Sequence, residues 1–226
     1  MAVESTRIVL VRHGESVAQE RRLVGGHTGC KGLSDRGRAQ VRALAERLDR
    51  TGELSAATAL YSSVMARAVE TAGILAPVLG LDVRQDCAFC EHHPGDGDGL
   101  TYEEYEQRWP YPERWTPDGV RSPGSESFLD MSRRVGAGLD GLVERHRGET
   151  VVVACHGGVV VHSMVRWLGI VPDGAGRRAW LNPTNSGLTE WRFRGDDPLP
   201  HELVRFDDAA HLATADLPAA RSAQPA

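Results

Sequence analysis

The sequence predicts an α/β protein, a three-layer sandwich in which a mostly parallel central sheet is flanked by helices on both faces. Apolar, β-branched runs at 7–13 (RIVLVRH), 57–63 (ATALYSS) and 150–158 (TVVVACHGG) alternate with segments whose apolar residues recur at helical spacing. The first and third runs carry almost no polar residue before their ends, as strands buried on both faces do. Both end in His-Gly, and ligands in such folds sit beyond the carboxyl ends of the strands.

In chain order, RIVLVRH is a buried strand closed by Gly14, and a polar, glycine-rich stretch follows from Glu20 to Gly32. Ser34 caps a helix bearing Val41, Leu44, Ala45 and Leu48 on one face, with Gly52 as its stop signal. ATALYSS is a second strand, and residues 65–80 form a helix that Pro77 ends or kinks. A short strand falls near residues 81–87. Residues 92–124 form an irregular insertion on the side of the sheet where the strands end, carrying Tyr102, Tyr105, Trp109, Tyr111 and Trp115, aromatics expected to pack the loop more often than to close on a ligand. Ser125 can cap the next helix, with Glu126 in its first turn and Ser127 a weaker candidate to face substrate. Phe128, Met131, Val135, Leu139, Leu142 and Val143 mark that helix, and TVVVACHGG leads into another at 159–169. Strands at 186–195 and 201–206 close the sheet. Residues 1–208 then make a single domain, and 209–226, rich in Ala and Pro, a flexible tail.

The 226 residues carry 26 Lys and Arg against 31 Asp and Glu, a net charge of -5, so nucleic acid and anionic membrane are not expected partners. No run reaches the roughly 18 apolar residues of a membrane helix, no secretory leader is evident, and four irregularly spaced cysteines suit free thiols; a cytoplasmic protein is expected. Composition leaves the oligomeric state open, a homodimer included.

Arg12 and His13 at a strand end suit a phosphate dianion. Arginine offers a planar fork for two oxygens, a neutral imidazole can attack phosphorus, and Gly14 would let the ligand approach the backbone. "RHGES" at 12–16, "SSVMARAVETA" at 62–72, "EHHPGDGDG" at 91–99 and "CHGG" at 155–158 occur in that order. Together they resemble the histidine phosphatase superfamily, the phosphoglycerate mutase-like branch one, over roughly residues 7–193.

The resemblance implies a phosphoglycerate mutase-like fold and phosphomonoester hydrolysis on a small phosphorylated metabolite, without metal or other cofactor, by a phosphatase-type member. His13 would be the nucleophile that becomes phosphohistidine. Arg12, Arg67 and His156 would clamp the phosphoryl oxygens, with Gly14 and Gly157 lining the substrate site. Glu91, whose spacing to Gly95 and Gly99 fits the family's acidic segment, would protonate the leaving oxygen and then activate water. Gln19 stands beside Ala18 where many members have Trp-Asn, and takes over a phosphate contact; Val64 replaces a familiar proline, and Gly97-Asp98 replace Trp-Glu.

The alternatives are mutase-type phosphoryl transfer and a binding module for a phosphorylated ligand without turnover. Mutases of the family carry E-R-H-Y-G at the acid and a long insert before the second histidine, whereas this chain has Glu-His-His-Pro-Gly and 65 positions from Glu91 to His156. Arg21, Arg22 and His27, in the loop after the nucleophile, could meet a second anionic group. Cys87 and Cys90 beside His92 and His93 look like half of a zinc site, but no second pair follows at metal spacing, so no metal is expected. Cys155 lacks the arginine six positions on that a cysteine phosphatase needs; position 161 is Val.

Overall fold

A computed structural model describes residues 5–170, 181–195 and 201–218. Its centre is a six-stranded sheet in the order β3-β2-β4-β1-β5-β6, built from β1 (Thr6–Arg12), β2 (Ala57–Ser62), β3 (Val83–Gln85), β4 (Thr150–Cys155), β5 (Leu188–Phe193) and β6 (His201–Asp208). The first four run parallel, β5 runs antiparallel to β1, and β6, at the edge, runs antiparallel to β5.

Strand side chains alternate between faces, and β1 shows both faces covered. Ile8 and Leu10 enter one core with Val151, Val153, Leu139, Leu142 and Trp167, while Val9 and Val11 enter the other with Val152, Leu44, Leu48 and Leu75. The first core lies under α5 (Phe128–Arg145) and α6 (Gly157–Trp167), the second under α2 (Asp35–Thr51) and α3 (Ala66–Leu79). This is the expected three-layer sandwich. The one charged side chain buried within β5, Glu190, is paired with Arg7 at 2.8 Å and Arg205 at 3.0 Å.

The structure departs from sequence expectation at several boundaries. Pro77 falls in the last turn of α3, where it removes only one internal hydrogen bond, so the helix runs on to Leu79 and Gly80 ends it in the left-handed conformation (φ 65°). Two short helices appear that were not expected, α1 (Val17–Glu20) just before the glycine-rich stretch and α4 (Tyr102–Arg108) within the insertion read as irregular, each started by a capping box, Ser16 with Gln19 and Thr101 with Glu104. α5 is capped by Ser127, whose hydroxyl accepts from Asp130 N, and not by Ser125, which donates to Ser122 O. The stretch read as a flexible tail from residue 209 begins with a 3-10 turn, Ala210–Leu212. Its His211 is buried, with Nε2 2.8 Å from Ser186 Oγ. Residues 219–226 of that tail lie outside the described residues.

Candidate active site

Register brings the two His-Gly segments together. Arg12 on β1 pairs with Cys155 on β4, so the next residues, His13 and His156, leave the sheet side by side, their ring centroids 5.1 Å apart. β2 ends level with them, and Ser63 just beyond it donates its backbone N–H to Ala154 O. Arg67, in the first turn of α3, reaches between the imidazoles, with Nε 3.0 Å from His13 Nε2 and 3.2 Å from His156 Nδ1.

The ring orientations differ. His13 Nδ1 lies 2.6 Å from Gly14 O; a carbonyl only accepts, so Nδ1 carries the proton and Nε2 presents its lone pair. His156 is turned the other way, with Nε2 2.7 Å from Ser63 Oγ and Nδ1 facing Arg67. Burial, with the positive charges of Arg67 and Arg12 adding to it, holds both histidines well below the ordinary pKa of 6.5. Both are therefore neutral at neutral pH. Burial also lowers Arg12, opposed by Glu91 and Asp207 nearby.

The guanidinium groups are held from behind. Arg67 Nη1 donates to Gly25 O at 2.7 Å. Arg12 Nη1 donates to Pro183 O and to Asn182 Oδ1 (3.1 Å), while its Nε is buried with no hydrogen-bond partner among the described residues. α6 starts at Gly157 directly after His156, with no side-chain cap, and Arg12 lies against that end. Two guanidinium groups and the positive end of a helix make a receptor for a dianion. Glu91 sits at the same helix end, its Oε2 accepting from Gly158 N at 3.1 Å and its Oε1 from His92 N at 3.0 Å. A Cβ at position 158 would collide with Glu91 Oε1, which accounts for the second glycine of CHGG.

Arg12, His13, Arg67, Glu91, His156 and Gly157 are thus gathered beyond the carboxyl ends of the central strands β1 and β4. At Gly14 a Cβ would strike Gly37 O and Val41 of α2, so the glycine also lets that helix approach. Gln19 is spent partly on the α1 cap, its Oε1 accepting from Ser16 N at 3.0 Å, while Nε2 faces Asn185. Ser127 is a cap, and the aromatic segment packs on itself, with Arg121 over the rings of Tyr105 (4.5 Å) and Tyr111 (5.5 Å). Sequence reading did not single out Ser63, the partner of His156, although the serine-rich strand end pointed toward it. It also missed Asn185, which donates to His13 O at 2.9 Å and for which no motif gave a signal.

A family model described as histidine phosphatase superfamily (branch 1) matches residues 8–204. The chain is 39% identical over 153 residues to the bifunctional protein Rv2228c of Mycobacterium tuberculosis; the match takes in 67% of this chain and spans only 41% of that protein. It is 33% identical over 164 residues to a metal-independent phosphoserine phosphatase of Arabidopsis thaliana (70% and 66% of the two chains). It is also 33% identical over 178 residues to a 2,3-bisphosphoglycerate-dependent phosphoglycerate mutase of Brucella anthropi (75% and 84%). Among solved structures, a mycobacterial glucosyl-3-phosphoglycerate phosphatase with inorganic phosphate superposes with a TM-score of 0.73 at 26% identity, over 91% of this chain and 98% of that one.

Proposed function

This chain belongs to the histidine phosphatase superfamily, branch 1, and from that premise we propose that it is a phosphatase hydrolysing a small phosphorylated metabolite through a phosphohistidine at His13, with no metal in the reacting centre. The observation that carries the reading is the Nδ1 contact to Gly14 O, which leaves Nε2 of a neutral imidazole as nucleophile beside Arg67.

In the first step His13 Nε2 attacks phosphorus while the ester oxygen departs with a proton from Glu91. Arg12, Arg67, His156 and the N–H groups opening α6 hold the three phosphoryl oxygens as charge builds on them. In the second step Glu91, now a carboxylate, takes a proton from water, the water oxygen bonds to phosphorus, and the P–N bond breaks to return neutral His13 and inorganic phosphate. A cleft lined by Val24, His92, Pro94, Tyr102, Tyr105, Glu106 and Arg121 adjoins the Glu91 segment and suits the leaving group. The mutase relative makes phosphoryl return to a bound acid the second reading; the Glu-His-His-Pro-Gly segment and the 65 positions from Glu91 to His156 favour hydrolysis.

The test is release of inorganic phosphate from p-nitrophenyl phosphate without added divalent ion, then from phosphoserine, glucosyl-3-phosphoglycerate and 3-phosphoglycerate, together with acid-labile, base-stable labelling of the protein. Full activity and labelling in His13→Ala would overturn the assignment. Formation of 2-phosphoglycerate in place of phosphate would make the chain a mutase.

A further inference from the structure

A second constellation lies apart from the phosphate receptor. Cys87, Cys90 and His93 sit on the turn that also carries Glu91, and the fold brings His27 to them from the loop after α1, sixty positions earlier than Cys87. One ligand atom from each of the four residues falls within a set whose members are all within 4.8 Å of one another. Sequence spacing alone offered Cys87 and Cys90 beside His92 and His93; tertiary structure brings His93 to the thiols and supplies His27 as the fourth donor. We propose that His27, Cys87, Cys90 and His93 bind a zinc ion that staples the loop at 23–32 to the turn bearing Glu91.

Donor chemistry and geometry support zinc. Two thiolates and two imidazoles are a tetrahedral N2S2 set, suited to zinc ahead of a hard oxygen-seeking cation. Zinc bond lengths place tetrahedral ligand atoms roughly 3.3–3.8 Å apart. Cys87 Sγ lies 3.7 Å from His93 Nε2 and 3.9 Å from His27 Nε2. The Cys87 and Cys90 sulfurs, 2.7 Å apart, would separate by about 1 Å on binding.

The surroundings are those of a built site. His93 aims Nε2 at the thiols while its Nδ1 lies 3.5 Å from Glu126 Oε1, a carboxylate that orients a ligating imidazole from behind. Glu126 Oε2 also accepts from His93 N at 3.0 Å. Arg134, paired with Glu126, donates to the carbonyl oxygens of Cys87, Ala88 and Cys90 at 3.0, 3.1 and 3.0 Å, which fixes the turn that presents both sulfurs. On the other side, Asp98 accepts from Gly26 N, Thr28 N and Gly29 N at 2.8, 2.7 and 2.9 Å, clamping the backbone on either side of His27. His27 itself is exposed, which gives the ion a route in.

Four protein ligands leave no open position, so this zinc takes no part in the phosphoryl chemistry. Its effect is positional. Gly25, in the stapled loop, holds Arg67, and Glu91 follows Cys90 directly. Binding would therefore fix both relative to His13.

The test is metal content of full-length protein purified under reducing conditions without chelator, with zinc supplied. We expect one zinc per chain, and on cobalt substitution the visible absorption of a tetrahedral thiolate site. His27→Ala, on an exposed loop where folding is not at stake, should weaken zinc affinity at least about tenfold in competition with a chromophoric chelator. Cys87→Ser/Cys90→Ser should bind none. Limited proteolysis should cut the loop at 23–32 faster once the ion is removed from wild type. Absence of zinc with both thiols free to alkylating agents, a Cys87–Cys90 disulfide that excludes the metal, or unchanged affinity in His27→Ala would each overturn the proposal.

Discussion

The ends of β1 and β4 are near copies in sequence, an apolar run followed by His-Gly, yet they present opposite faces of the same side chain. His13 has its Nδ1 tied to a carbonyl, which can only accept, so its Nε2 is fixed as a lone pair. His156 has its Nε2 against a hydroxyl, which can donate or accept, so its Nδ1 can take a hydrogen bond from Arg67 or give one to a phosphoryl oxygen. In the proposed mechanism two neutral imidazoles 5.1 Å apart are thereby given different work, one to attack and one to stabilise. The partner atom on the far side of the ring, more than the strand or the motif, decides which.

That contrast can be broken by mutation, and the largest effect is expected at the nucleophile. His13→Ala should lower kcat at least about 10³-fold and abolish labelling, and His13→Gln should do no better, because an amide nitrogen there cannot attack phosphorus. Loss of about 10²–10³-fold is expected in His156→Ala, with partial recovery in His156→Asn, whose amide can donate from near the Nδ1 position. Equal recovery in both Asn and Gln variants of both histidines would erase the distinction drawn between them. Glu91→Gln should cost about 10²-fold on alkyl phosphates and clearly less on p-nitrophenyl phosphate, whose leaving group needs no proton. Steady-state kinetics on the two ester classes decide it.

Smaller effects sharpen the comparison. Ser63→Ala removes the group behind His156 and should reduce kcat/KM about tenfold, the worth of one buried hydrogen bond, without preventing phosphorylation of His13. Because burial lowers the His13 pKa, the acid limb of kcat/KM should fall below pH 6.5; a limb at or above that value would mean a charged His13 near neutrality. The same depression has a sign in stability. Below about pH 6.5 the unfolded chain binds protons that the folded histidines refuse, so stability is full above that pH and falls as the pH drops toward their folded values. Urea unfolding across this range reads it.

Much of the fold was legible because burial imposes periodicity. β1 and β4 had to be continuous apolar runs to lie between two helical layers, and α2 had to carry its stripe of Val41, Leu44 and Leu48. The helices missed, α1 and α4, are too short for a stripe; their sign was the capping box, Ser16-x-x-Gln19 and Thr101-x-x-Glu104, which is local and went unread. Gly14 has a reason to be glycine that its neighbours in sequence do not show: α2 packs so closely that a Cβ there would meet Gly37 O.

By itself the sequence determined the α/β class and the strands that deliver Arg12 and His13, which rest on local pattern, while Arg67, Glu91 and His156 became candidates through the resemblance of their segments to the histidine phosphatase family. Tertiary structure decided what spacing cannot carry. The register of Arg12 against Cys155 sets the imidazoles side by side, Gly14 O and Ser63 turn them in opposite senses, and His27 meets Cys87 across a distance in the chain. Hydrogen-bond partners and donor clusters are properties of space, and two residues remote in sequence acquire them only when the sheet and its helices close around them.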